Sequence, residues 1–132
     1  MKEVFTIASK ESEQCFDITD QVKSIVARTG VTDGFCHVMA LHSTAAVVVN
    51  ETHDPNIGRD VITALGRMVP TRAGWLHDEI DDNAHSHVKA SLLGPSEVIA
   101  VEGGELVLGT WQGIWFFDFD GPRDRRVSVR VQ

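Results

Sequence analysis

Residues 34–41 read G-F-C-H-V-M-A-L, and this stretch decides the fold. Successive side chains of an extended chain point to opposite faces. One face then carries Phe35, His37, Met39 and Leu41, and the other carries Cys36, Val38, Ala40 and His42. Since both faces are largely apolar, the stretch predicts a central strand that is covered on both sides.

Further strands are predicted on both sides of this stretch. Apolar alternation bounded by turn residues indicates strands over 2–8, 15–18, 45–51, 95–102, 105–108, 113–120 and 126–131. Gly103-Gly104 predicts a hairpin turn between two of them. In the last strand, Val127, Val129 and Val131 form the apolar face, and Arg126, Ser128 and Arg130 form the polar face.

Two helices are predicted between these strands. The first spans 20–29, with Thr19 or Asp20 as its N-cap. The second begins at Asp54-Pro55, with the aspartate as cap and the proline as first residue, and ends at Pro70. Apolar residues recur at helical spacing in both segments, as expected for helices that pack one face on a core.

Many strands combined with two or three helices are typical of the α+β class. We therefore expect a mostly antiparallel β-sandwich with the helices at one side. A length of 132 residues fits a single domain over 1–132.

Composition excludes several classes of function. The net charge of −7 argues against broad electrostatic binding to nucleic acid or anionic membrane. No apolar run reaches the roughly 18 residues of a membrane span, and the charged N-terminal stretch is unlike a signal peptide. Cys15 and Cys36 are far apart and form no CxxC motif, and without an export signal we expect two reduced thiols and a cytoplasmic protein.

Residues 77–94, H-D-E-I-D-D-N-A-H-S-H-V-K-A-S-L-L-G, concentrate histidines and carboxylates. Such a cluster is typical of a divalent-metal site, because neutral imidazole binds metals and a carboxylate can orient it. The alternative is a polar loop that caps a helix. A loop-like pattern over 71–84 is followed by a short predicted helix, with Asn83 as its cap and Gly94 at its end. On that helix, His85 and His87 would point about 200° apart and could not share one ion.

Three other clusters can carry chemistry or be structural. His42 follows the central strand, where it faces a cleft or is capped by Ser43 or Thr44. The G-T-W-Q-G run over 109–113 is either a close approach to a ligand or a bulge with Trp111 in the core. The arginines within 118–126 suit a phosphate or carboxylate, or are solvated.

No HExxH, phosphate-loop, GxGxxG or paired CxxC motif is present. The chain instead resembles the YjbQ-like proteins, a family often called secondary thiamine-phosphate synthases. The resemblance rests on four ordered motifs: H-S-T-A-A-V-V-V-N-E-T-H-D-P over 42–55, D-N-A-H-S-H-V-K-A-S-L-L-G over 82–94, G-T-W-Q-G-I-W over 109–115, and F-D-G-P-R over 119–123. It implies a β-sandwich that assembles as a homotrimer, with a metal-binding pocket near the subunit interface.

The resemblance also implies roles for individual residues. The motif histidines fall on His42, His77 and His87, a three-ligand set with an open fourth position, as catalytic zinc requires. Acid–base roles are implied for Glu51, Asp78 and Asp82, and substrate contacts for Asn50, Lys89, Thr110, Gln112 and Arg123.

Three functions are compatible with these residues. The first is a transferase that acts on a phosphorylated small molecule, with thiamine phosphate synthesis as the named reaction. Three imidazoles suit zinc better than a magnesium–diphosphate complex, so this reaction would be a secondary activity. The second is a trimer that binds a metal or a metabolite without efficient turnover. The third is a zinc-dependent hydrolase.

Overall fold

The computed structural model describes residues 1–132, with eight strands and three α-helices. In chain order these are β1 Lys2–Ala8, β2 Gln14–Asp17, α1 Thr19–Thr29, β3 Asp33–Ala40, β4 Ala45–Glu51, α2 Asn56–Met68, α3 Ala84–Leu93, β5 Ser96–Glu102, β6 Glu105–Leu106, β7 Gln112–Asp118 and β8 Asp124–Val131. A short 3₁₀ helix covers Leu76–Glu79 within the segment predicted as loop.

The strands form two antiparallel sheets that confirm the expected α+β sandwich. The five-stranded sheet has the order β1-β8-β3-β5-β6, and the three-stranded sheet has the order β2-β7-β4. β3 pairs with β8 on one side and with β5 on the other, which confirms it as a central strand.

Two hydrophobic clusters define the layers. The larger one fills the space between the sheets, where Cys36, Val38 and Phe116 are each 0% exposed, and α1 closes one end of it. The smaller one lies on the outer face of the three-stranded sheet, where α2 and α3 pack on side chains such as Trp115 and Phe117. Helices α2 and α3 therefore lie on one side of the sandwich, as predicted, whereas α1 lies at one end of it.

One expectation for the central strand is wrong within a single chain. Cys36, Val38 and Ala40 are buried, but Phe35 on the opposite face is 61% exposed. The three-stranded sheet covers only one face of β3, and no helix of the same chain packs on the other face. An apolar sheet face is therefore left open to solvent.

The helix starts also differ from the prediction. α1 begins at Thr19, and the carboxylate of Asp17 accepts the Thr19 backbone N–H at 3.0 Å. Asp54 accepts the Asn56 backbone N–H at 2.9 Å, so α2 begins one residue later than expected.

Asn83 precedes α3 without capping it through its side chain, and Asp78 instead accepts the Ala84 backbone N–H at 2.9 Å. A carboxylate can thus cap a helix from outside the adjacent residues. None of the helices has the length and apolar character needed to cross a membrane.

Candidate functional site

Three segments meet at one edge of the sandwich and build a polar site. The turn after β3 leads to Ala45, which pairs with Asp118 at the end of β7. The N-terminal part of α3 joins the same edge, because the Ser86 hydroxyl donates to the carbonyl of Phe119 at 2.6 Å. Residues far apart in sequence are thereby held together by strand ends and one helix start.

A cavity of about 330 Å³ lies between these segments. Its lining contains no hydrophobic residue and consists of His42, Ser43, Asp81, Asn83, His87, Asp120 and Arg123. This volume lies at the lower end of the range for small-molecule sites. Two larger depressions, of about 470 and 500 Å³, lie over α1 and contain none of the predicted site residues.

His77 and His87 lie side by side next to this cavity. Their ring centroids are 4.8 Å apart, with an interplanar angle of 86°. The Nε2 atom of His77 is buried without a hydrogen-bond partner, and its distance of 3.9 Å to Asp81 is too long for a hydrogen bond. A buried imidazole nitrogen without a partner is available for a ligand.

His42 enters the cavity from the turn after β3 with one ring nitrogen already engaged. Its Nδ1 lies 3.0 Å from the hydroxyl of Thr44 and 3.3 Å from the Thr44 backbone nitrogen. Burial, together with the positive charges of Arg125 and Arg123, lowers the pKa of His42 below its ordinary value. His42 is therefore neutral at pH 7, with Nε2 as the ring nitrogen left for a ligand.

Arg123 is the exposed cation of the cavity. Its Nη2 donates to the carboxylate of Asp120 at 3.1 Å, and its Nε donates to the Asp120 carbonyl at 2.9 Å. Asn83 donates to the same carboxylate at 2.9 Å. This network fixes the guanidinium at the cavity edge and leaves Nη1 without a protein partner.

A buried ion pair lies next to the cavity. Arg125 donates from Nε and Nη2 to the two carboxylate oxygens of Asp118, at 3.0 and 2.8 Å, and both side chains are 0% exposed. The Asp118 carboxylate also accepts from the Ser9 hydroxyl and from the Asp120 backbone N–H. Burial by itself would raise the pKa of this carboxyl, but the hydrogen bonds from Arg125, Ser9 and Asp120 prevail and lower it.

Two residues with expected acid–base roles lie outside the cavity lining. One carboxylate oxygen of Asp78 accepts the Ala84 backbone N–H, while the other is buried without a partner. Asp82 forms a bidentate pair with Arg72 at the surface, and the hydrogen bonds from Arg72 lower its pKa.

Lys89, expected to contact substrate, is directed away from solvent. Its side chain is 2% exposed, and its Nζ donates to Glu13 at 2.7 Å. The same nitrogen lies 6.0 Å from the ring centroid of Phe119. Lys89 is thus ion-paired within the protein and does not line the cavity.

The remaining predicted residues lie at the opposite end of the three-stranded sheet. Glu51 pairs with Gln112 at that end, whereas Ala45 pairs with Asp118 at the cavity end. Six residues of an extended strand separate the two ends by roughly 20 Å. Asn50, Thr110 and Gln112 are exposed there, and His53 packs on Trp111 with a ring-centroid distance of 4.8 Å. One subunit therefore does not bring all the predicted site residues together.

A three-histidine metal site is not assembled within this chain. No three imidazole, thiol or carboxylate groups are placed to hold one ion. Of the three predicted ligands, His77 and His87 are adjacent, with their ring centroids 4.8 Å apart. His42 does not fit the third position in this arrangement, because the Thr44 N–H points at Nδ1 and so leaves the imidazole proton on Nε2.

No individual role was predicted for Arg125 or Asp118, and Thr44 was considered only as a cap of His42. One signal was present for Arg125, because it is in phase with Val127 and Val129 on the apolar face of β8. An arginine at a core-facing position needs a buried partner. Nothing in the local sequence identifies that partner as Asp118, because the pairing depends on how β7 and β8 are connected.

Comparison with known proteins connects this geometry to a family. Residues 3–132 match the family model described as UPF0047 protein YjbQ-like. A UPF0047 protein of Archaeoglobus fulgidus is 43% identical over 126 residues, covering 96% of this chain and 97% of the relative. The UPF0047 protein YugU of Bacillus subtilis is 34% identical over 134 residues, covering 99% and 98%.

Solved structures agree in fold along the whole chain. A YbjQ-like protein of unknown function from Sulfolobus solfataricus superimposes with a TM-score of 0.95 at 38% identity, covering 99% of this chain and 95% of that one. A YjbQ/UPF0047 family protein from Clostridium acetobutylicum gives a TM-score of 0.93 at 42% identity, covering 98% and 99%. The four sequence motifs, the two-sheet sandwich and these matches lead to one conclusion: the chain belongs to the YjbQ-like UPF0047 family.

Proposed function

We propose that the cavity binds the phosphate group of a small phosphorylated molecule. The observation that carries this proposal is the wholly polar lining, in which His42, His87 and Arg123 converge from three separate segments. Imidazole N–H groups and a guanidinium are the donors that phosphate oxygens accept well. The volume of about 330 Å³ suits a small molecule rather than a polymer.

The arrangement of donors supports an anion in spite of two carboxylates in the lining. Asp120 already accepts from Arg123 and Asn83, so its charge is balanced inside the protein. Arg123 keeps one nitrogen for a ligand, and neutral His42 offers an N–H at Nε2. Asp81 is exposed, so water screens much of its charge.

Calorimetric titration with inorganic phosphate and pyrophosphate tests the binding proposal. Arg123→Ala should weaken binding about tenfold or more, because a charge-assisted hydrogen bond contributes about 1.5–3 kcal/mol. Arg67→Ala is the matched control, since Arg67 is an exposed arginine of α2 outside the lining and should leave the affinity unchanged. Equal affinities of the two variants, or no binding by the unmodified protein, would refute the proposal.

For the reaction, we propose a transferase, with thiamine phosphate synthesis as the candidate. In that reaction the methylene carbon of a hydroxymethylpyrimidine diphosphate bonds to the nitrogen of a thiazole phosphate, and pyrophosphate leaves. The resemblance to the family supports this candidate. Pyrophosphate release should be faster than in a His42→Ala/His87→Ala double variant. Binding without turnover would favour a metabolite-binding protein, and release of inorganic phosphate from esters would favour a hydrolase.

We propose separately that a divalent ion, zinc by its ligand types, binds His77 and His87, with His42 as the third ligand. The support is the adjacency of the first two rings and the unpartnered Nε2 of His77. His42 can join only after its proton moves from Nε2 to Nδ1, where the Thr44 hydroxyl can accept it. The ion would supply Lewis-acid stabilisation of phosphate charge.

We also propose that the chain acts as a homotrimer in the cytoplasm. The open apolar face of the five-stranded sheet, with Phe35 61% and Val98 62% exposed, is suited to cover by another subunit. Glu51 and Gln112 lie roughly 20 Å from the cavity of their own chain. They can reach a cavity only if it belongs to a second subunit. Free Cys15 and Cys36 are consistent with a reducing compartment.

A further inference from the structure

The buried pair of Arg125 and Asp118 makes contacts beyond those that balance its two charges. A bidentate arginine and carboxylate at 0% exposure satisfy each other's charge. Nη2 of Arg125 makes further hydrogen bonds, to the Asp120 carbonyl at 3.1 Å and to the Thr44 hydroxyl at 2.9 Å. The second of these bonds leads toward the cavity.

Thr44 connects the ion pair to His42. Thr44 is 0% exposed, and its hydroxyl accepts from Arg125 while it lies 3.0 Å from Nδ1 of His42. The backbone N–H of Thr44 points at the same Nδ1 at 3.3 Å and can only donate. Nδ1 is therefore the acceptor, and the imidazole proton resides on Nε2, the nitrogen left for a ligand.

We propose that Arg125 is a positioning residue that, through the Thr44 hydroxyl, holds the His42 ring in one orientation and one tautomer. This inference rests on the proposed binding of phosphate, because the Nε2–H tautomer presents a donor suited to a phosphate oxygen. His42 lies on an exposed turn, and Thr44 makes the only hydrogen bonds to its ring. Pre-organising that donor removes the cost of ordering it when a ligand binds.

A simpler role for Arg125 would be to hold the connection between β7 and β8 through the Asp120 carbonyl. The two roles are separated at Thr44. Thr44→Val has a similar shape but lacks the hydroxyl, and it leaves Arg125 with its bonds to Asp118 and Asp120. Thr44→Ser keeps the hydroxyl and is the matched control.

Nitrogen-15 NMR of the histidine rings, with His42 assigned by loss of its signals in His42→Asn, gives the direct readout. In the unmodified protein and in Thr44→Ser, Nδ1 should show the shift of an unprotonated nitrogen and Nε2 that of a protonated one. In Thr44→Val only the longer backbone N–H contact of 3.3 Å remains at Nδ1, so the ring should be held less firmly in one tautomer and the two shifts should move toward each other. Identical spectra for Thr44→Val and the unmodified protein would overturn the proposal.

Phosphate titration of the same variants gives a second readout. Thr44→Val should bind inorganic phosphate about tenfold more weakly than Thr44→Ser, because the donor at Nε2 is no longer held in place before the ligand binds. If the NMR shifts move but the unmodified protein binds no phosphate, positioning stands and the proposed function fails. If Arg123→Ala loses binding while Thr44→Val retains both affinity and spectrum, the proposed function stands and the positioning role of Arg125 is wrong.

Discussion

Arg125 and Asp118 place two opposite charges inside the sandwich next to the cavity. Each charge would be costly to bury alone, and the two neutralise each other through two hydrogen bonds. Asp118 is further supported by Ser9, whose hydroxyl lies 2.6 Å from the carboxylate. Together these side chains form a charged hydrogen-bond network that reaches His42 through the Thr44 hydroxyl.

Asp118→Asn should destabilise the fold strongly at pH 7, by about 3–5 kcal/mol, because it leaves the guanidinium of Arg125 buried without a counter-charge. The folded state lowers the pKa of Asp118, so the unfolded chain takes up this proton first. The stabilisation is thus present above about pH 4, the ordinary carboxyl range, and lost as pH falls through the lower folded pKa.

Urea unfolding at pH 7 and near pH 3 measures this effect. The difference between the unmodified protein and Asp118→Asn should narrow at the lower pH. Asp124→Asn, on the exposed start of β8, is the control and should change the free energy of unfolding by less than about 0.5 kcal/mol. A difference of the same size at both pH values would contradict this account.

The elements of the fold were largely predictable, because each depends on a local period. β3 differs from its predicted bounds by one residue at each end, since alternation over 34–41 is unambiguous. Helix caps were less predictable: Asp78 caps α3 from six residues before Ala84, which no local pattern indicates. The composition of the site depends on which strand ends meet. Asn83 and Asp120 line the cavity, and this could not be predicted without the topology.

β7 contains a glycine whose position is set by packing rather than by a turn. A Cβ at Gly113 would overlap the hydroxyls of Thr52 and Thr19, and the latter accepts the Ile114 backbone N–H at 2.9 Å. Gly113→Ala should therefore destabilise the protein by about 1–3 kcal/mol.

Gly66→Ala in α2 is a control for which we expect a stability change of the opposite sign. A Cβ there meets open space, and alanine stabilises a helix interior by about 0.5–1 kcal/mol relative to glycine. Thermal unfolding of the two variants should give shifts of opposite sign. Two shifts of the unfolding temperature in the same direction would mean that β7 has space for a Cβ at Gly113, contrary to the structure.

The whole molecule leaves one apolar sheet face uncovered. The sequence pattern of β3 predicted cover on both sides, yet a single chain covers only the face of Cys36 and Val38. Sequence periodicity reports that a face is apolar, but it does not tell whether the same chain or a partner covers it. The sequence likewise does not tell whether Glu51 reaches the cavity of its own chain or that of a partner, and within one chain roughly 20 Å separates the two.

Val98→Glu tests the proposed trimer at this face. Val98 pairs with His37 across β3 and β5 and is 62% exposed. Sedimentation of the unmodified protein should give three times 14.5 kDa, and the variant should shift toward one subunit mass because a buried charge is costly. Thr63→Glu, on the exposed side of α2, should leave the mass unchanged. A mass of 14.5 kDa for the unmodified protein would contradict the trimer.

The central claim is that the polar cavity at the end of β3 binds phosphate. A diffraction structure of crystals grown with inorganic phosphate tests it most directly, and a separate structure of crystals grown with zinc, measured at the zinc absorption edge, tests the metal proposal. We expect phosphate density within hydrogen-bond distance of His42 Nε2 and Arg123. For the metal, we expect an anomalous peak about 2.0–2.1 Å from the nitrogens of His77 and His87. Saturating phosphate with only water in the cavity would contradict the claim.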